Sequence, residues 1–235
     1  MNDIKLQAFN IKGERCSGTN YLQKLIETNF NIECAHNIDW KHGWCNLVDI
    51  DKKTLETSVT IIIFRDPFDW LRSCYLTPHH IEGTVFGIWK TSIPTFSEFI
   101  RKEEIEFYFY EETKTMKEDV SIFRTRHPFY LTRPKNIFEL RKWKIEYFLN
   151  LKNIFTHTYY LKYEDLVQDP KKIITEINDK YFNIDLKFKN WTQYKETDDK
   201  YIPKKYFDIA EDDYSFLVEN IDWEFESKIG YSCFD

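Results

Sequence analysis

The sequence predicts an α/β fold with a central, mostly parallel sheet flanked by helices. Three observations carry that expectation. Two strand-to-helix turns, at 13–18 and 65–67, each follow an apolar run and bear anion-binding groups. Residues 57–64 form a continuous β-branched run, the pattern of a strand buried on both faces. Strand patterns also alternate with helical ones along the chain, as crossovers in a parallel sheet require.

Ile4 to Lys12 reads as the first strand and Gly13 to Gly18 as a tight turn of small and polar residues. Leu22, Leu25, Ile26 and Phe30 then recur at i, i+3, i+4 and i+8, one apolar stripe of a helix able to pack on a sheet. Ile32 to His36 reads as a short second strand and Thr57 to Phe64 as a third. Asp66 suits an N-cap and Pro67 the first helical position. Ile137 to Leu151 reads as a long helix and Phe155 to Tyr163 as a strand, and Asp169-Pro170 opens a helix on Ile173, Ile174 and Ile177. Residues 77–135 differ in character: they mix His79-His80, Trp89, a weak helix at Phe96 to Lys102, an aromatic run from Glu106 to Glu111, and Arg124, Arg126 and His127. This stretch is expected to be an insertion over the strand ends, where an acceptor pocket forms.

A chain of 235 residues fits one α/β domain, so 1–235 is expected to be a single domain. A formal net charge of -6 and a pI near 5.6 argue against a broad nucleic-acid surface and leave room only for a local anion pocket. Five cysteines, at 16, 34, 45, 74 and 233, lack any close pair, which points away from a disulfide framework or a zinc site and toward a reducing compartment. No stretch approaches the roughly 18 to 20 apolar residues of a membrane span, and the N-terminus has no apolar leader. A cytoplasmic protein is expected.

In the first turn, Gly13 and Gly18 bracket four residues, as in loops that cradle phosphate with backbone N–H groups at a helix start. A magnesium-binding triphosphate loop needs Lys and Ser/Thr after the second glycine, and Thr19 and Asn20 stand there instead. A plain turn capped by Ser17 or Thr19 has the same sequence. In the second turn Arg65 ends a strand and Ser73 lies about two helical turns further on, so that a guanidinium fork and a hydroxyl can hold one phosphate. The competing reading pairs Arg65 with a carboxylate and leaves Ser73 as a helix residue.

With both turns in view, the chain resembles the sulfotransferases that use 3′-phosphoadenosine-5′-phosphosulfate (PAPS). Arg15 and Cys16-Ser17-Gly18-Thr19-Asn20 match their first phosphosulfate loop, Arg65-Asp66-Pro67 with Ser73 their 3′-phosphate motif, and Tyr163-Glu164-Asp165-Leu166 before Asp169-Pro170 a third segment. The three matches are in order and span most of residues 11–170. The resemblance implies a three-layer P-loop-like fold. It also implies PAPS as co-substrate without a metal, and a small-molecule, glycan or peptide acceptor. Ser17, Gly18, Thr19 and Asn20 would hold the 5′ side, Arg65 and Ser73 the 3′-phosphate, and Tyr163 would lie near adenine, with Glu164 and Asp165 structural.

Sulfuryl transfer needs in-line positioning and stabilisation of charge on the leaving phosphate oxygen. The cytosolic branch of the family carries Lys, and the tyrosylprotein branch Arg, where this chain has Cys16. Arg15 is the expected replacement, with Lys12 second. The cytosolic branch also carries Lys-x-His before its Arg-Asx-Pro, and Lys41-His42-Gly43 stands at a comparable place. His42 is the expected general base and His36 the runner-up. Lys195, Lys200, Lys204 and Lys205 are candidates for a basic loop over the 3′-phosphate, and Arg124, Arg126 and Arg133 for contacts to an acidic acceptor. His79-His80 with Glu82 has no strong metal-ligand spacing. Two rivals remain: a small-molecule or nucleoside kinase with an atypical phosphate loop, and a catalytically silent nucleotide-binding protein.

Overall fold

The computed structural model describes residues 6–35, 41–44, 50–76, 95–102, 134–193 and 205–233. Its packing divides the chain into two compact units, one of Met1–Asp66 with Phe148–Lys205, the other of Pro67–Tyr147 with Tyr206–Asp235.

The fold is α/β, as expected. Among the described residues, strands β1 (Ala8–Gly13), β2 (Glu33–Cys34), β3 (Ser58–Phe64) and β4 (His157–Lys162) form one all-parallel sheet in the order β2-β1-β3-β4, all within the first unit. Every residue of β3 is buried, which its β-branched run demands of a central strand. Val59, Ile61 and Ile63 point to one face and meet Phe9 and Ile11 of β1. Helix α1 (Thr19–Asn29) closes that face with Leu22, Leu25 and Ile26, with Phe30 just beyond its end. On the opposite face the Phe64 ring stacks near Tyr160 (centroids 6.3 Å apart) and tilts against Phe148 (6.4 Å). Each fully buried aliphatic or phenyl side chain contributes roughly 1.5–3 kcal/mol, so this cluster is the main source of the unit's stability.

Helix α2 (Lys52–Thr57) precedes β3, and helices α6 (Tyr163–Gln168) and α7 (Pro170–Ile177) follow β4. Asp169 caps α7 by accepting the Lys172 N–H at 2.9 Å, Pro170 stands at its start, and Ile173, Ile174 and Ile177 enter the α1 cluster. Asp169→Ala is expected to cost about 1 kcal/mol in urea unfolding, the usual value of a lost N-cap.

The second unit contains α3 (Pro67–Leu76), α4 (Phe96–Ile100), most of α5 (Ile137–Asn150), α8 (Glu211–Asn220) and α9 (Trp223–Lys228). Helix α4, the weak helix of the sequence reading, starts with a reciprocal capping box between Thr95 and Glu98. Tyr75, Phe96, Phe99 and Phe207 pack ring against ring with centroids 5.1–6.3 Å apart. The described part of 77–135 therefore puts its aromatics into packing with one another. The rest of that segment lies outside the described residues.

Helices α2, α6, α8 and α9 go beyond the sequence reading; Tyr163, expected to end a strand, is the first residue of α6. Six residues of α2 are too few to show a period, and its signal is Asp51, which accepts both the N–H (2.9 Å) and the hydroxyl (2.7 Å) of Thr54. Those bonds hold the Asp51 carboxyl below its ordinary value. Helix α8 begins with Glu211, Asp212 and Asp213, an acidic first turn that complements the helix dipole and was legible in the sequence. No helix among the described residues is long and apolar enough to cross a membrane.

Candidate functional site

The first turn is built by close backbone approach. A β-carbon on Gly13 would lie 2.7 Å from the Ile63 carbonyl oxygen and 2.8 Å from Ser17 Oγ. Ser17 is fully buried; its hydroxyl donates to the Glu14 carbonyl at 2.6 Å and its N–H donates to the same oxygen at 3.3 Å. The Ser17 side chain thus shapes the turn from inside. Cys16 and Gly18 flank it with φ of 66° and 88°, both left-handed. For Cys16 that conformation costs roughly 1–2 kcal/mol, because its β-carbon crowds the following carbonyl.

Gly18 is the N-cap of α1 and, as a glycine, offers no side chain to cap it. The alternative of a helix capped by Ser17 or Thr19 is therefore not the arrangement adopted: the Ser17 hydroxyl is engaged inside the turn and Thr19 is already the first helical residue, buried. A helix start leaves N–H groups that intrahelical bonds cannot satisfy, at the positive end of the dipole.

Beside this start runs the segment Lys41-His42. The Gly13 N–H donates to the Lys41 carbonyl at 3.2 Å, and His42 Nδ1 lies 2.8 Å from the Gly13 carbonyl oxygen. A carbonyl only accepts, so Nδ1 carries a proton, and in the neutral form of the ring the lone pair is on Nε2. Lys41 sends its ammonium to Asn20 Oδ1 and, at 3.3 Å, to Gln23 Oε1, both in the first turns of α1. Burial pushes that ammonium below the ordinary lysine value. Burial likewise pushes the nearby Cys34 thiol up, with the charge of Glu27 adding to it. Lys41, in the Lys41-His42-Gly43 motif, joins the turn through these contacts, which its place in the sequence does not foretell.

Arg65 follows β3 and is 7% exposed. Its Nη1 donates to the Cys16 carbonyl at 2.8 Å, and its guanidinium carbon lies 4.4 Å from the centre of the Tyr163 ring. The Tyr163 ring edge occupies the space a Gly18 β-carbon would need, 2.4 Å from Cδ2 and 2.7 Å from Cε2. Glu164 accepts the Asp66 N–H at 3.1 Å and so ties the end of the second turn to the start of α6.

The structure thus brings the turn 13–20, Lys41, His42, Arg65 and Tyr163 together within the first unit. Arg15 is half-buried in the turn, and Lys12 is fully buried in β1. Ser73 is buried in α3, in the second unit. Lys205 is exposed. His36, His79, His80, Glu82, Arg124, Arg126, Arg133, Lys195, Lys200 and Lys204 lie outside the described residues. No group of three His, Cys, Asp or Glu among the described residues is arranged to hold a metal ion.

A comparison of the chain with protein-family models finds no match, and a comparison with curated proteins finds none either.

Proposed function

We propose that the chain is a PAPS-dependent sulfotransferase with a P-loop-like architecture, acting on a hydroxyl or amine acceptor. The observation that carries this reading is the convergence of an α1 start at Gly18, the Lys41 ammonium and the His42 imidazole on one glycine turn. Such a turn fits an anionic group, and the imidazole beside it fits a proton acceptor. The motif order of the sequence supports the nucleotide identity, and the parallel sheet with a strand leading through a glycine turn into a helix supports the fold class.

In this scheme the N–H groups of Gly18, Thr19 and Asn20 hold the 5′ end of the nucleotide. Lys41, with Arg15, stabilises the charge that collects on the leaving phosphate oxygen. His42 Nε2 accepts the proton of the acceptor hydroxyl as its oxygen forms a bond to sulfur and the bond from sulfur to the bridging phosphate oxygen breaks. The products are the sulfated acceptor and 3′-phosphoadenosine 5′-phosphate. Gly13 keeps the His42 ring in the tautomer this step needs.

Calorimetric titration with 3′-phosphoadenosine 5′-phosphate, adenosine 5′-phosphate and magnesium-ATP tests the reading. Preference for the bisphosphate is the expected result. Preference for magnesium-ATP would transfer the case to a kinase, and no binding of any of the three would remove the nucleotide site. With an acceptor in hand, His42→Gln is expected to lower turnover by about 100- to 10,000-fold while leaving bisphosphate affinity nearly unchanged. Full turnover in that variant would place the base elsewhere. Normal bisphosphate binding with no turnover on any acceptor would instead favour a silent nucleotide-binding protein, the reading that Cys16 at the family's Lys position motivates.

A further inference from the structure

The second turn is expected to act on the 3′ end of the nucleotide, yet in this structure its arginine reaches into the first turn. Three contacts define the arrangement. Arg65 Nη1 donates to the carbonyl of Cys16, the residue of this turn held in the left-handed conformation without being glycine. The same guanidinium lies over the Tyr163 ring, and the edge of that ring fills the space above Gly18, the other left-handed residue of the turn. Arg65 and Tyr163 thereby hold both ends of the three residues 16–18, which lead directly into the first N–H groups of α1.

We propose that Arg65 is a positioning residue for the first turn: through the Cys16 carbonyl and the Tyr163 ring it holds residues 16–18 in the form that presents the α1 N–H groups to an anion. Affinity at the 5′ end of the nucleotide then depends on Arg65, quite apart from any contact with the 3′-phosphate. Left-handed Cys16 supplies the physical reason. Its β-carbon disfavours the conformation, so the turn needs an outside hold that a glycine there would need less. Guanidinium suits the task because one planar group donates to a carbonyl in its own plane while its face lies on an aromatic ring.

The part of this inference that concerns nucleotide affinity rests on the sulfotransferase reading; the part that concerns turn geometry does not, and the experiment separates them. Amide hydrogen exchange is measured on the whole unliganded chain for wild type, Arg65→Ala and Arg65→Lys. Exchange at Ser17 and Leu22, whose N–H groups donate to the Glu14 and Gly18 carbonyls, is expected to quicken at least tenfold in both variants, while β1 and β3 keep wild-type protection. Arg65→Lys is included because it keeps charge and most of the volume but lacks the fork, so a folding failure of Arg65→Ala leaves the test intact. Unchanged exchange at Ser17 and Leu22 in Arg65→Lys overturns the proposal, whatever the chain binds.

The second arm uses adenosine 5′-phosphosulfate, which has no 3′-phosphate, beside 3′-phosphoadenosine 5′-phosphate. A loss of at least tenfold in affinity for both is expected. A loss confined to the bisphosphate identifies Arg65 as a 3′-phosphate ligand only and overturns the proposal. If wild type binds neither nucleotide while the variants still show faster exchange, the nucleotide reading fails and the role of Arg65 in the turn stands. Cys16→Gly in the Arg65→Lys background should restore protection toward the wild-type level; no restoration rejects the left-handed strain as the cause.

Discussion

Gly18→Ala is expected to lower affinity for 3′-phosphoadenosine 5′-phosphate by at least about 100-fold, roughly 2.7 kcal/mol of binding free energy. Two effects combine. The added β-carbon would sit 2.4 Å from Tyr163 Cδ2, and a φ of 88° is strained for any residue with a β-carbon. Tyr163 has little room to yield, because the Arg65 guanidinium lies over its ring. The turn must therefore rearrange and carry the first N–H groups of α1 with it. The hydrophobic cluster of the sheet and α1 does not depend on Gly18, so the chain should still fold, with a loss of about 1–2 kcal/mol from the left-handed position. Calorimetry and urea unfolding on the same sample read the two effects separately. Wild-type affinity in the alanine variant would show that the α1 start does not hold the ligand.

Arg141→Ala is expected to destabilise the protein by about 3–5 kcal/mol, the cost of leaving a buried carboxylate without its partner. Arg141 Nε and Nη2 both donate to the Glu226 carboxylate, the latter at 2.8 Å, and the two side chains are 3% and 2% exposed. The guanidinium also lies over Trp70 at 4.8 Å, so truncation removes packing as well as charge. Arg141→Met combined with Glu226→Leu should return stability to at least the wild-type value, since burying two charges is itself expensive. Urea unfolding of the two single variants and the double variant checks this. A single-variant loss under about 1 kcal/mol would mean that the pair is not desolvated in solution.

This pair shows what local patterns omit. Arg141 lies in a helix that the sequence reading identified, but nothing at that position names a partner 85 residues later in a helix it did not identify. The candidate site divides in the same way. Gly13, Gly18, Arg65, His42 and Tyr163 are all singled out by motif, and the turn they surround is legible because a tight turn before an amphipathic stripe constrains residue types at fixed spacing. Their contacts are another matter. Ser17 turns its hydroxyl inward onto Glu14, Arg65 reaches the turn ahead of it in the chain, and Lys41 lies at the start of α1.

By itself the sequence determined the elements: the β-branched run of β3, the apolar stripes of α1 and α7, the Asp169-Pro170 start, and the glycines that let the first turn close. Each is a property of residues within a few positions of one another, where backbone preference and burial periodicity act directly. Only the tertiary structure decided which nitrogen of His42 carries the proton, what Arg65 holds, and what fills the space above Gly18. Those depend on partners 29, 49 and 145 residues distant in sequence, brought together by the pairing of β1 with β3 and of β3 with β4. Local spacing carries no record of a neighbour that the sheet supplies.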